Sequence, residues 1–314
     1  MKKLKEMKFN ILIIILVFSN NNVFGQKSIS EFKKGEMAMI TLGSHDSWLI
    51  MNDSNEVAFL SPFSGTINLF TIDLNELNFI PSNKRGLLMA EYIAYESYSD
   101  KYVPVTNFSE GAMDSPEYSP NGELVLFRRY VKDTTNSNGK SSFRLPWKFS
   151  LMLVNTRTKV LDTLISEKVS AMTFLSDSTV LYQQEDKDSS WLKMINIHSG
   201  EVSNYIPVSS IIRGITSDND YILVHENLKA SLFNKKTLKL IETFEIPQSM
   251  QRVTYMGKYL ILTPRGAPSS FMKISNGKTK AIVGSYDYEP SVSTSGEFVI
   301  VVSENYGGGV IYKL

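Results

Sequence analysis

Ser115-Pro116-Glu117-Tyr118-Ser119-Pro120-Asn121-Gly122-Glu123-Leu124-Val125-Leu126-Phe127 is the stretch on which the fold turns. Its grammar returns near the C-terminus as Glu289-Pro290-Ser291-Val292-Ser293-Thr294-Ser295-Gly296-Glu297-Phe298-Val299-Ile300-Val301. In both copies seven positions separate the residue before proline from a turn glycine, and an apolar run follows at once. The physical content is a short strand, a tight turn with Asn-Gly or Ser-Gly chemistry, and a second strand buried on both faces. Proline suits the start of a strand, where no ladder donor is required.

Working outward, looser copies occupy the interval. Ala171 to Tyr182 turns at Asp177 and Ser178, Arg213 to Val224 at Asn219 and Asp220, and Arg252 to Leu262 at Gly257. A further copy, Asn68 to Ile80, places Leu74 and Asn75 at its turn. Two more strand-like runs follow a copy, such as Ser150 to Asn155 and Val160 to Ile165, or Leu192 to Ile197 and Val202 to Ile206. The links Thr156 to Lys159, His198 to Glu201 and Asn234 to Thr237 read as turns. Four strands per unit of about 40 residues is the period of a propeller blade.

Units opening at 68, 115, 171, 213, 252 and 289 make six, and residues 36–62 add strands over Met37 to Leu42, Trp48 to Asn52 and Glu56 to Pro62. The expected fold is therefore an all-β propeller of four-stranded blades, seven in number, with six or eight as the neighbouring counts. The last unit reaches Leu314 after three strands, so an N-terminal strand is expected to complete it and close the ring. Between Tyr130 and Lys148 a polar, glycine-containing insertion predicts a surface hairpin extension.

The Ser-Pro-Asn-Gly element and its flanking strands resemble the TolB-type, WD-like β-propeller repeat of exported bacterial proteins, and Tyr102 to Phe108 resembles the outer strand that precedes such a repeat. The resemblance covers roughly 70–314 and is carried by two strong copies, the others following by spacing. It implies a propeller and leaves function open, since related propellers dock proteins, gate peptidases or act as enzymes.

The N-terminus bears Lys2, Lys3, Lys5 and Lys8 before an apolar run from Phe9 to Phe18, with Val23, Phe24 and Gly25 ahead of Gln26. Such a run is too short for a stable membrane span, so residues 1–25 read as a cleaved signal peptide and 26–314 as a single propeller domain. The expected location is periplasmic or extracellular. The chain has no cysteine, so burial alone holds the fold. Removing those four lysines and Glu6 from 33 basic and 32 acidic residues leaves 29 and 31, a charge near −2 and no footprint for nucleic acid.

No constellation names a reaction. His45, His198 and His225 fall in different units without metal-ligand spacing, no Gly-x-Ser-x-Gly elbow occurs, and Glu185, Asp186 and Asp188 read as a solvated hairpin turn. Gly307, Gly308 and Gly309 read as a flexible turn between the last two strands. No catalytic residue, metal or cofactor is assigned. Aligning the copies places Asn68, Ser115, Ala171, Arg213, Arg252 and Glu289 at the opening of channel-lining strands. Of these, Arg213, Arg252, Glu289, Ser115 and Asn68 form a candidate binding mouth, where an arginine would clamp an acidic group or else tie neighbouring blades together. The expected function is a non-catalytic binding or scaffolding module for an envelope or extracellular protein, peptide or glycan, the alternative being a lyase- or hydrolase-type enzyme with its site at the channel mouth.

Overall fold

The computed structural model describes residues 27–41, 47–77, 79, 99–134, 146–184, 191–208, 212–247, 250–256, 259–264, 270–274, 279–281, 291–293, 296–303 and 308–314. Over these residues the chain forms six four-stranded antiparallel sheets. Blade 1 comprises β2 (Ser47–Met51), β3 (Glu56–Ser61), β4 (Asn68–Asp73) and β5 (Val103–Pro104). Blade 2 comprises β6 (Ala112–Tyr118), β7 (Leu124–Lys132), β8 (Trp147–Asn155) and β9 (Leu161–Ile165). Blade 3 follows with β10 (Val169–Ser176), β11 (Thr179–Gln184), β12 (Trp191–Asn196) and β13 (Val202–Pro207). Blade 4 holds β14 (Gly214–Ser217), β15 (Tyr221–His225), β16 (Lys229–Asn234) and β17 (Leu240–Glu245). Blade 5 holds β18 (Met250–Met256), β19 (Tyr259–Pro264), β20 (Ser270–Lys273) and β21 (Thr279–Ala281).

Blade 6 is built from both chain ends. Its strands β22 (Ser291–Val292), β23 (Phe298–Ser303) and β24 (Gly308–Lys313) are completed on the outside by β1 (Met37–Thr41), which pairs with β24 from Met37↔Tyr312 to Thr41↔Gly308. The ring is thus closed by hydrogen bonds between the N-terminal segment and the last strand, with β1 taking the outer edge of the sheet. Gly308 and Gly309, read from the sequence as part of a turn, belong to the paired strand β24.

The blade count corrects the expectation of seven. Asn68 does not open a blade: it begins β4, the third strand of blade 1, and pairs with Ser61 of β3. The segment after it ends in a short 3-10 turn, Leu74–Glu76, whose entry Asp73 caps by accepting from the Asn75 N–H at 2.8 Å. The strands at 36–62 accordingly supply one strand to blade 6 and two to blade 1 rather than a unit of their own.

The core lies between blades. Second strands are the most deeply buried, with Val125, Leu126 and Phe127, Val180 and Leu181, Ile222 and Leu223, and Leu260 and Ile261 all inaccessible to solvent. One apolar cluster joins Ile50, Leu60 and Leu69 of blade 1 to Met113, Tyr118, Val125 and Phe127 of blade 2, and comparable clusters join blades 2 to 3, 3 to 4 and 4 to 5. Each fully buried aliphatic or aromatic side chain contributes about 1.5–3 kcal/mol, so these seams replace the crosslinks that a chain without cysteine cannot form.

The two strong repeats fold alike. Gly122 donates to the Ser119 carbonyl and Gly296 to the Ser293 carbonyl, each at 2.8 Å, and both glycines sit at φ 73°. Ser119 Oγ accepts from Leu124 N at 3.0 Å and Ser293 Oγ from Phe298 N at 3.1 Å. The outer hairpins of blades 2, 3 and 4 share another turn, in which Asn155, Asn196 and Asn234 accept through Oδ1 from the two backbone N–H groups at the loop tip. Lys159, Gly200 and Leu238 then take the left-handed position at φ 61°, 71° and 56°.

Candidate functional site

The first strands of the six blades enclose a central channel whose cavity measures about 900 Å³. One rung of it can be followed around the ring. Ile50, Glu117, Thr173, Thr216, Thr254 and Ser291 all line the cavity, and each lies opposite the buried middle of its second strand, at Ala58, Leu126, Leu181, Leu223, Ile261 and Ile300. Five of the six are polar and only Glu117 is ionisable.

Glu117 accepts from Thr173 Oγ1 at 2.6 Å and from Phe174 N at 2.9 Å, both on the next blade. Protein surrounds it on all sides, and only the channel leaves part of its surface open. Desolvation raises its pKa to about 6, against the opposing pull of these two hydrogen bonds and of the Arg252 guanidinium. The same cross-blade logic recurs where Tyr255 N donates to Thr216 Oγ1 at 3.1 Å and Ser217 Oγ to the Phe174 carbonyl at 2.6 Å.

The cavity opens toward the turns that join first and second strands. Pro120, Asp177, Asp218, Asn219, Asp220 and Gly296 stand there, with Lys235 beside them. Asp177 Oδ1 accepts from Asn121 N at 2.8 Å, locking the turn of blade 3 to that of blade 2. Asp218 Oδ1 accepts from the N–H groups of Asp220 and Tyr221, and its carbonyl accepts from Lys235 Nζ at 2.7 Å. Tyr255 lies near Asp218 and Asp220, and burial, ahead of these charges, pushes its phenol up to about 12. Among the described residues the charged side chains of the lining are therefore four carboxyl groups, Glu117, Asp177, Asp218 and Asp220, against the cations Arg252 and Lys235.

Of the described residues proposed from sequence, Arg252 lines this cavity, and Arg213, Ser115 and Asn68 do not. Arg213 is exposed; it donates to the Met250 carbonyl at 2.9 Å and to Asn227 Oδ1 at 2.5 Å, tying blade 4 to blade 5. Ser115 sits at φ 51° in a bulge of β6 and accepts from an Arg128 amino group at 3.0 Å. Asn68 is fully buried, donating to Ser64 Oγ and to the carbonyls of Thr66 and Phe108 while accepting from Thr106 Oγ1 and Phe108 N. Glu289 lies outside the described residues, as do Asp287, His45 and the acidic trio at 185–188.

Register explains why Arg213 and Arg252 differ. Strands β2, β6, β10 and β18 each carry a shift near their start, whereas β14 pairs with β15 without one. β10 carries a further shift between Phe174 and Ser176, so Thr173 precedes its partner Leu181 by eight residues whereas Thr216 precedes Leu223 by seven. An alignment spaced as in blade 3 therefore runs one residue out in blade 4, where Gly214 takes the place Arg252 has in blade 5, and a one-residue slip reverses the face a side chain points to. Glu117 was missed for a related reason: it stands two residues beyond the opening position, on the channel face of the same strand.

His225 stands opposite Gly214 at the place that Gln183 and Arg128 hold in blades 3 and 2. Gln183 Oε1 accepts from Ile212 N at 2.8 Å, and Arg128 donates to the carbonyls of Val169 and Ser170, so each latches the chain entering the next blade. His225 is fully buried and neither ring nitrogen has a hydrogen-bond partner among the described residues. Burial first, then Arg213 and Arg252, lowers its pKa to about 4.

No protein-family model and no curated protein matches the chain. Solved structures do match in fold. TolB from Acinetobacter baumannii superposes with a TM-score of 0.51 at 11% identity, over 89% of this chain and 64% of that one, so the chain spans less than two thirds of the length of that TolB. The β-propeller domain of Cps50 (Swd1) from Myceliophteria thermophila gives 0.51 at 13% identity, over 88% and 99%. An oligogalacturonate lyase from Vibrio parahaemolyticus gives 0.47 at 10% identity, over 90% and 92%. At these identities the likeness is one of fold, and the TolB-like, WD-like resemblance of the repeat is met at that level.

Proposed function

We propose that this protein is an exported, non-catalytic propeller that takes a basic segment of an envelope or extracellular peptide or protein into its channel. The observation that carries the reading is the cavity of about 900 Å³ whose charged side chains, among the described residues, are four carboxyl groups against two cations. Asp177, Asp218 and Asp220 stand at the open end, where a guest first arrives, and Glu117 stands on the six-residue rung inside. This charge order reverses the acidic guest expected from the two arginines. Arg252 opposes Glu117, and Arg213 is committed to the Met250 carbonyl and Asn227. Export rests on the basic and apolar N-terminal stretch at 2–18; among the described residues no helix is long and apolar enough to cross a membrane.

A cation arriving beside Glu117 favours its ionised form, so binding near pH 6 releases up to about half a proton. Calorimetric titration of the mature protein with hexalysine in two buffers of different ionisation enthalpy reads that proton directly. Hexalysine is expected to bind with proton release that vanishes in Glu117→Gln, and hexaglutamate is expected not to bind. Binding of hexaglutamate in preference to hexalysine would overturn the reading.

A second reading follows from the same carboxyl. A group titrating at about 6 inside a cavity is suited to general acid–base work, and Glu117 is the residue on which a lyase- or hydrolase-type reaction would depend. Under that reading Glu117→Gln loses turnover by about 100-fold or more while guest affinity is kept.

A further inference from the structure

Strands β7 and β8 run to nine residues each, against four to six in the second and third strands of blades 3 to 5. The added rungs Tyr130↔Phe149 and Lys132↔Trp147 prolong the hairpin of blade 2 away from the turn end of the channel. Tyr130, Phe149 and Trp147 share one side of this hairpin, because alternate residues of a strand share a face and cross-strand partners do too. Tyr130 meets Trp147 edge-on at 5.7 Å and lies tilted against Phe149 at 6.1 Å. Trp147 nonetheless keeps 45% of its surface exposed.

At the foot of these rings is a cavity of about 260 Å³, separate from the channel, walled by Tyr130 and Phe149 and lined with Asp114, Arg128, Glu167 and Lys168. Its floor is rigid. Arg128 donates through Nε to Asp114 at 2.6 Å, through one amino group to the Val169 and Ser170 carbonyls at 3.1 and 3.0 Å, and through the other to Ser115. Glu167 is bonded to Gln184, and Lys168 Nζ stands 5.5 Å from the centre of the Phe149 ring.

We propose that this cleft binds one pyranose ring of a glycan. Carboxylates, an ammonium group and aromatic walls in a cleft of this size match a ligand that is apolar on its C–H faces and hydroxylated around its rim. The rings of Tyr130 and Phe149 cover the C–H faces, while Asp114 and Glu167 accept from hydroxyls and Lys168 donates to them. Trp147 extends the platform for the next sugar of the chain. An amphipathic aromatic held rigid and half-exposed is a low-entropy contact surface.

The test uses the mature protein with cellohexaose, chitohexaose, laminarihexaose and hexagalacturonate, followed by calorimetry and by shielding of tryptophan from acrylamide. At least one is expected to bind with Kd below about 1 mM and to shield tryptophan emission. Trp147→Ala is expected to weaken that binding by about tenfold or more with the thermal midpoint unchanged, since the ring is half-exposed. Glu117→Gln, in the channel, is expected to leave glycan binding intact, so loss of the proton-linked binding of hexalysine and loss of glycan binding are separable. Failure of all four oligosaccharides to bind overturns the proposal. Undiminished binding in Trp147→Ala, or saturation by an aromatic hexapeptide instead, overturns it equally.

Discussion

The equivalence of Gly122 and Gly296 permits a test in which two identical substitutions have unequal costs. Both residues sit at φ 73°, so alanine at either pays the left-handed penalty of about 1 kcal/mol. At Gly296 a new Cβ meets nothing within 4 Å, and the cost stops there. At Gly122 it comes within 2.9 Å of Asn52 Cβ and 3.0 Å of Asn52 Nδ2, on the neighbouring blade. Asn52 is buried and busy: Nδ2 donates to the Gly122 carbonyl at 3.1 Å, and Oδ1 accepts from Ser54 N and Glu56 N, both at 3.0 Å. Displacing it forfeits at least one buried hydrogen bond, worth roughly 1–2 kcal/mol. Gly296→Ala is therefore expected to cost about 1 kcal/mol and Gly122→Ala about 2–3 kcal/mol. In a domain of this size that is a lowering of the melting temperature by about 2 °C and about 4–6 °C. Urea unfolding and calorimetry measure both, and in an Asn52→Gly background, which removes the Cβ and the amide together, the cost of Gly122→Ala should fall toward that of Gly296→Ala. Equal losses at the two glycines, or a gap that survives Asn52→Gly, would refute the reasoning.

Two further outcomes are expected. His225 resists protonation when folded, with its pKa lowered from 6.5 to about 4, so stability should fall as pH drops from 6.5 toward 4, by roughly 3 kcal/mol. Glu117 works in the opposite direction. Raised from 4.5 to about 6, it is stabilising as pH falls through that window, by on the order of 1–2 kcal/mol, so urea unfolding of His225→Gln between pH 4.5 and 6.5 should show the wild-type decline replaced by a small gain. Lys159 holds the left-handed position that Gly200 fills in the next blade; Lys159→Gly should stabilise by about 0.5–1 kcal/mol and Gly200→Ala destabilise by about 1 kcal/mol, read as opposite shifts of the urea midpoint.

Much of the architecture was legible from local pattern. The turn glycines, the doubly buried second strands, the outer hairpin turns and the closure of the last blade by an N-terminal strand all follow from short-range chemistry and strand counting, which act within a few residues of chain. The blade number was not legible, because Asn68–Asp73 followed by a turn at Leu74 and Asn75 reads as the first strand of a unit, and only its pairing with β3 shows it to be a third. The channel lining was half legible. Alignment found Arg252 yet placed Arg213 beside it, since the missing bulge of β14 is a feature of pairing that the residues of β14 alone do not announce. Glu117 gained its raised pKa and its partners Thr173 and Phe174 only when blade 3 closed over it. Turn chemistry and burial pattern are properties of a segment and can be read from it. Register, desolvation and the convergence of six first strands on one axis are properties of the closed ring, and only the tertiary structure decides them.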